Sequence, residues 1–557
     1  MNAMLISTVV ALARQARGVF LLAVLVAVTL GHSGPAAAPA PAGGMSGARI
    51  RAHVEFLADD LLEGREAGSR GYDVAAHYVA TQLALTGLQP AADDGTYFQK
   101  VPLRKSSLTS AALSVGQAGN APVTLSIPDE AVVAPNSRQP DVSLTAPVVF
   151  AGYGVTAPDY GYDDYKGIDV HGKIALIFYN APAKLPGEMR AHYASPPQKF
   201  RNAADHGAIA VLMMFTPDDQ QRIPWDRLKG YADQPAFTTL LPDGTPVMAE
   251  PRISAVGYLS AGGAKKVFDR GPVTFEDAAA ATTRGDVKPA ELPVTATFKV
   301  TSRYEEAASE NVVGKLDGSD PALSHTSVVL SAHLDHLGIK PAGEGDRINN
   351  GAYDNATGSA ILLEVARAFG APGARPKRSI VVVFVTGEEK GLLGSDFFAR
   401  YPVKAAGAIV ADVNLDMPVF MTASSDIVAF GSENSTLDRL VSRAVAAEGY
   451  TLSPDPLPEE NVFVRSDQYS FVKQGIPSVY LEPGFTATDP KVNGREVFET
   501  FLHAHYHQPS DDLSLPMDLN AVARFAEANY LIARAIADDP VAPSWKPGNF
   551  FGKVFGK

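Results

Sequence analysis

Residues 380–398 read IVVVFVTGEEKGLLGSDFF. The apolar run from Ile380 to Val385 has no polar alternation, which predicts a strand buried on both faces. KGLLGSDFFARY (390–401) then carries helical spacing. The same order recurs on either side: TSVVLSAHLDHLG (326–338) reads as a strand, NATGSAILLEVARAFG (355–370) as a helix and AGAIVADVNLDM (406–417) as a strand. Buried strands separated by helices predict an α/β fold built on a mostly parallel sheet with helices on both faces. The strand at 380–385 ends in two adjacent carboxylates, Glu388 and Glu389. Neighbouring residues leaving a strand point in different directions, so the two glutamates are expected to face different partners.

The 557-residue chain is 46% apolar, enough for more than one core. Its formal charge is -13 and it contains no basic run, which argues against nucleic-acid or anionic-membrane partners. Arg14 and Arg17 precede the apolar run VFLLAVLVAVTL (19–30) and the small-residue stretch GPAAAPAPAGG, the order of a secretory signal. A run of about 12 falls short of the roughly 20 residues needed to span a bilayer, so no stable membrane insertion is expected after cleavage. With no cysteine, the chain has neither disulfides nor a lipid-bearing thiol, and any metal must rest on His, Asp and Glu. A periplasmic or secreted bacterial protein is the expectation.

The texture changes along the chain. Residues 1–42 read as signal and linker, and 48–118 open with two helices, one from Ile50 and one over 71–87 stopped by Gly87. Short Val/Ile runs broken by Gly, Pro and Asp mark 119–288 as a β-rich inserted domain. The strand-helix pattern occupies 289–540, and 541–557 forms a C-terminal tail.

In an open α/β sheet, ligands bind beyond the carboxyl ends of the strands. Those ends carry His333 and Asp335, Glu388 and Glu389, and Asp416, while Asp354 lies in the turn GAYDNATGS before a helix. HAHYHQPSDD (503–512) adds three alternating histidines, and spacing alone does not choose among His503, His505 and His507. Each residue has a bland reading: Asp354 as a helix cap, the glutamates as first-turn acids, His333 as a satisfied core residue. Gathered at one sheet edge, the carboxylates would repel one another, and a divalent cation is the simplest remedy.

The series AHLDH, GAYDNATGS, GEEKGLLGS, NLDM, RSDQYSFVKQGIPS and YHQPSD, with the opening FLADDLLEGREAGSRG, resembles the co-catalytic two-zinc exopeptidase family that includes bacterial leucyl-type aminopeptidases and glutamate carboxypeptidase. The likeness covers roughly 48–118 and 290–540. The insert more loosely resembles a protease-associated domain, through AGYGVTAPDYGYDDYKGIDVHGKIALI and FRNAADHGAIAVLMM. The resemblance implies two zinc ions bridged by Asp354, with His333 and Asp416 completing one site and Glu389 and His507 the other. It implies Glu388 as general base, Asp335 as the carboxylate fixing the His333 tautomer, and Tyr506 as oxyanion stabiliser. Arg465, in RSDQYSF, would meet a substrate carboxylate or serve a structural salt bridge. Gln468 stands where the family often has His, which leaves that role open.

Peptides are the implied substrates, and aminopeptidase action the leading reading. A carboxypeptidase or dipeptidase would need a cationic clamp, for which Arg465 is the sole candidate. A single-zinc cyclase is disfavoured by the presence of both His333 and Asp416, and a non-catalytic receptor by six intact key positions. N-terminal sequencing of the exported protein is expected to place signal cleavage between Ala36 and Ala42; an uncleaved Met1 would instead make the apolar run a single membrane anchor.

Overall fold

The Thr326–His333 strand lies between Ser379–Val385 and Ala408–Asn414 and runs parallel to both. Ser478–Pro483 extends the parallel set beyond Ala408–Asn414, and Asp426–Phe430 pairs antiparallel with it. Every residue of Ser379–Val385 is buried, as the unbroken apolar run requires. Val329, Val381, Val383 and Val385 face Phe398 and Phe471 in one core. The helices Gly358–Gly370 and Leu519–Asp538 pack on each other and on Thr326–His333 at the other face. The expected α/β sheet with flanking helices is therefore what these residues form. In this computed structural model the described residues are 44–556 apart from positions 118, 231, 249, 270 and 344. The signal expected over 1–42 lies outside them. Among the described residues no helix is long and apolar enough to cross a membrane.

The two opening helices are Gly47–Leu57 and Arg70–Thr86. Ser69 caps the second by accepting from Tyr72 N, and Gly87 ends it at φ +85, a left-handed conformation that glycine adopts without steric cost.

Ala290–Leu316, a strand of 27 residues, joins the two halves of the sheet. Its last residues pair antiparallel with Ser379–Val385 and its first with Asp141–Phe150. Along most of its length it also pairs with Phe98–Gly116, with a register shift between Thr301 and Ser302. Beyond this ribbon, Ile174–Phe178, Ala210–Met214 and Ala255–Leu259 form a second parallel set. Helices such as Pro196–Asp205 and Ala261–Phe268 alternate with these strands, so 119–288 holds helical cover as well as strands. Phe150, Phe178, Phe268 and Phe298 fill its larger core.

The tail ends in a short helix, Phe550–Phe555. Phe551 packs on Phe463 and Tyr469, while Phe550 meets His192 and Tyr193 of the Gly187–Ala194 helix. Trp545 Nε1 donates to Gly475 O at 2.9 Å. The tail thus ties the 119–288 segment to the 463–475 segment.

Arg65 locks the first helices to the loops below the sheet edge. It is 1% exposed, and its guanidinium donates to Leu334 O (2.9 Å), Asn350 O (2.6 Å), Gly351 O (3.1 Å) and Leu57 O. Burial brings its pKa down to about 10, which leaves it charged at neutral pH. Arg65→Leu would strand four buried carbonyls, each costing about 1–3 kcal/mol when unpaired, partly relieved by relaxation. A fall of at least ~3 kcal/mol in urea-unfolding stability is expected, and a loss under ~1 kcal/mol would contradict the lock.

Candidate metal centre

Because three neighbouring strands run parallel, the loops after them leave at one edge. His333 ends its strand, Glu388 and Glu389 follow Thr386 and Gly387, and Asp416 lies two residues beyond Asn414. Asp354 sits in the irregular turn Ala352–Thr357 that precedes the Gly358–Gly370 helix. His507 enters from the turn after the Gly494–Ala504 helix, in left-handed backbone at φ +61. His503 belongs to that helix and His505 is its C-cap, so the three histidines do not alternate along a strand. His505 Nδ1 instead lies 3.0 Å from Ser510 Oγ.

The two oxygens of Asp354 face two imidazoles. Oδ1 is 3.3 Å from His333 Nε2, and Oδ2 is 3.3 Å from His507 Nε2. His333 Nε2 also lies 2.9 Å from Asp416 Oδ1, and His507 Nε2 lies 3.2 Å from Glu389 Oε2. Donor atoms about 2.0–2.1 Å from a tetrahedral zinc stand ~3.3 Å apart, so three of these four separations match such an edge. The donor set therefore fits two metal positions sharing one carboxylate.

The loops are stapled by groups that the sequence reading passed over. Asp511 accepts from Tyr353 N (2.9 Å) and Asp354 N (3.0 Å). Asn355 donates to His333 O and Leu415 O, and its Oδ1 accepts from Met417 N, so one amide joins the His333, Asp354 and Asp416 segments. Both residues stand inside the motifs YDNATGS and YHQPSD; their polar side chains beside the presumed ligands were the available signal.

Asp335 acts differently from expectation. His333 Nδ1 lies 3.1 Å from Asp335's carbonyl oxygen, while the carboxylate accepts from Glu388 N (3.1 Å) and Glu389 N (3.3 Å). The tautomer is thus set by main chain, and the carboxylate fixes the direction in which the two glutamates leave their strand.

Those glutamates are driven apart electrostatically. Burial pushes the Glu388 carboxyl well up, against the opposing pull of His333. Burial also disfavours the Glu389 charge, but His507 and His336 outweigh it and hold that carboxyl low. Burial works against a charged His333, yet Asp416 and Glu388 raise its pKa well above the ordinary value. Asp335 is pushed up to about 6 by burial. Adjacent carboxyls with oppositely displaced pKa values mark different roles, one group suited to staying ionised and one to taking a proton.

Sequence reasoning also missed His336, the last residue of HLDH. It is fully buried, its Nδ1 lies 2.7 Å from Glu389 Oε1, and with Asp354 and Glu389 it forms a second cluster of potential metal donors.

A cleft opens over the cluster, with Asp354, Glu388 and Asp416 on its floor. Phe430, Leu457, Phe485, Phe498 and Leu502 give it an apolar wall, and Arg222 and Arg227 of the 119–288 segment also line it. Tyr506 lines the cleft, with its hydroxyl 3.5 Å from Arg465 Nη2. Arg465 also donates to Glu460 O at 3.2 Å and pairs with Glu460 Oε2 at 3.4 Å. Gln468 is buried, donates to Phe463 O and accepts from Asn414, which is a packing role.

The parallel α/β sheet thus gathers imidazoles and carboxylates from its strand ends around a shared aspartate. Residues 311–533 match the model of Peptidase family M28. Aminopeptidase NAALADL1 of Mus musculus is 27% identical over 328 residues, 52% of this chain and 42% of the mouse protein. A probable zinc metalloprotease of Pyricularia oryzae is 28% identical over 264 residues, 41% of this chain and 50% of that protein. The chain thus spans about half the length of these curated relatives. An aminopeptidase from Aneurinibacillus sp. strain AM-1 shares the fold, with a TM-score of 0.51 and 19% identity, over 90% of this chain and 96% of that one.

Removing the Asp335 carboxylate frees the amides that aim both glutamates. Asp335→Ala is expected to weaken zinc binding ~10–100-fold in chelator competition, and wild-type affinity would show that the loop holds itself.

Proposed function

We propose that the chain is an exported two-zinc aminopeptidase that removes residues from the free N-termini of peptides. What carries the reading is Asp354, whose two oxygens each face a separate imidazole-carboxylate set, with Glu388 at the cleft floor outside both. His333, Asp354 and Asp416 would hold one zinc, and Asp354, Glu389 and His507 the other. When bound, the ions supply the positive charge that makes a water acidic near neutral pH and polarises the scissile carbonyl.

Glu388 accepts the water's proton as the water oxygen bonds to the carbonyl carbon, then delivers it to the amine as the C–N bond breaks. Its raised pKa suits a group that must both take and return a proton. Tyr506, lining the same cleft, donates to the oxyanion of the tetrahedral intermediate.

The carboxylates of Asp455, Glu459 and Glu460 line the cleft and favour a substrate ammonium, while its apolar wall suits a hydrophobic first side chain. A carboxypeptidase would rest on Arg465, and Glu460 already engages that guanidinium. Residues 119–288 would act as a protease-associated-like lid, since their Arg222 and Arg227 line the cleft.

A peptide ladder incubated with the zinc-loaded protein, with N-acetylated twins and a chelator control, tests this by mass spectrometry. Stepwise loss from free N-termini, fastest for apolar first residues and blocked by acetylation, is the expected result; loss from C-termini would establish the carboxypeptidase. Glu388→Gln is expected to retain zinc and lose about 10²–10⁴-fold in kcat. Near wild-type turnover would remove Glu388 from the role.

A further inference from the structure

Both ring nitrogens of the fully buried His336 lack a hydrogen-bond partner among the described residues. Glu389 Oε1, 2.7 Å from His336 Nδ1, is equally without one. Two electron-rich atoms at that separation repel unless a proton lies between them or a cation lies beside them. The pair is not aligned as a hydrogen bond, and a cation beside both atoms would engage both lone pairs where a protonated imidazole would engage one. One donor atom each of His336, Asp354 and Glu389 lie within 4.8 Å of one another, so a single ion can serve all three.

We propose that His336 is a further protein ligand at the metal position held by Asp354, Glu389 and His507. The local backbone is shaped to seat its ring. His336 N donates to Arg65 O at 3.1 Å, and Glu66 forms a bridge with His336. Gly351, at φ +58, packs against the imidazole, and a Cβ there would sit 2.6 Å from His336 Cγ. Only glycine meets both the left-handed backbone and the missing space.

The consequence is an asymmetric pair. His333, Asp354 and Asp416 offer three protein donors and leave a position open, as a catalytic zinc site does. Asp354, Glu389, His507 and His336 offer four, the complement of a closed tetrahedral site. The closed position holds its ion when the open one exchanges, so the protein keeps one metal under conditions that strip the other. This rests on the metal reading above and is independent of whether the chain cleaves peptides.

The test is chelator competition on the full zinc-loaded chain, wild type beside His336→Ala and His336→Phe, with unfolding of the metal-free proteins as a folding control. His336→Phe keeps a ring in the pocket and removes the donors. Wild type is expected to release zinc in two steps, and both variants to lose at least ~10-fold in affinity at the tighter step alone. X-ray absorption of wild type carrying one equivalent of zinc should count two imidazoles on it. A single imidazole, or unchanged affinity in His336→Phe, overturns the proposal, whereas a wild type that takes up no zinc removes the metal reading itself.

Discussion

Carboxylates crowded into a buried space repel, and the strand ends of this sheet crowd Asp354, Glu389 and Asp416 together with Asp335 and Glu388 close by. The arrangement persists because each negative charge faces a positive or polarisable partner. Asp354 stands between His333 and His507, and the Asp335 carboxylate accepts hydrogen bonds from two main-chain amides. The surrounding structure holds this balance: the parallel strands fix where the loops begin, Asn355 and Asp511 fix where they go, and Arg65 pins them from beneath.

The same balance explains the adjacent glutamates. In sequence they are equivalent, and leaving a strand together gives them only different directions. Asp335, by gripping both amides, turns that difference into two environments, one between imidazoles and one over the cleft floor. A single carboxylate buried among main-chain donors thereby gives two neighbouring acids different surroundings.

The sheet was legible in the sequence because its strands are uninterrupted apolar runs with helical patterns between them. His333, Asp354, Glu389, Asp416 and His507 were legible as polar residues at strand ends and turns, and the structure brings their donor atoms to within 2.9–3.3 Å of one another in four pairs. What was not legible depends on which atom of a residue does the work. The reading of HxD assigned the tautomer to the Asp335 carboxylate, whereas the carbonyl oxygen does it. His336 hid one position further on, since the sequence carries no mark of the glycine pocket that turns its ring inward. Spacing did not choose among His503, His505 and His507, because three alternating histidines are too short a pattern to tell a strand from a helix end, and the likeness carried by YHQPSD was what selected His507. Within 119–288 the short Val/Ile runs were visible, but the intervening helices are brief and carry prolines or little apolar periodicity, as in PPQKFRNAAD.

The ribbon formed by Phe98–Gly116 and Ala290–Leu316 is the girder on which the cleft rim is mounted. An antiparallel ladder slides only in discrete steps, because partners exchange by whole residues along strands that rise about 3.4 Å per residue. The height of Arg222 and Arg227 above Glu388 is therefore quantised by pairing that lies outside the cleft. One residue gained or lost at the Thr301–Ser302 irregularity would move that rim by a whole step of the ladder while leaving every side chain around Asp354 unchanged in sequence.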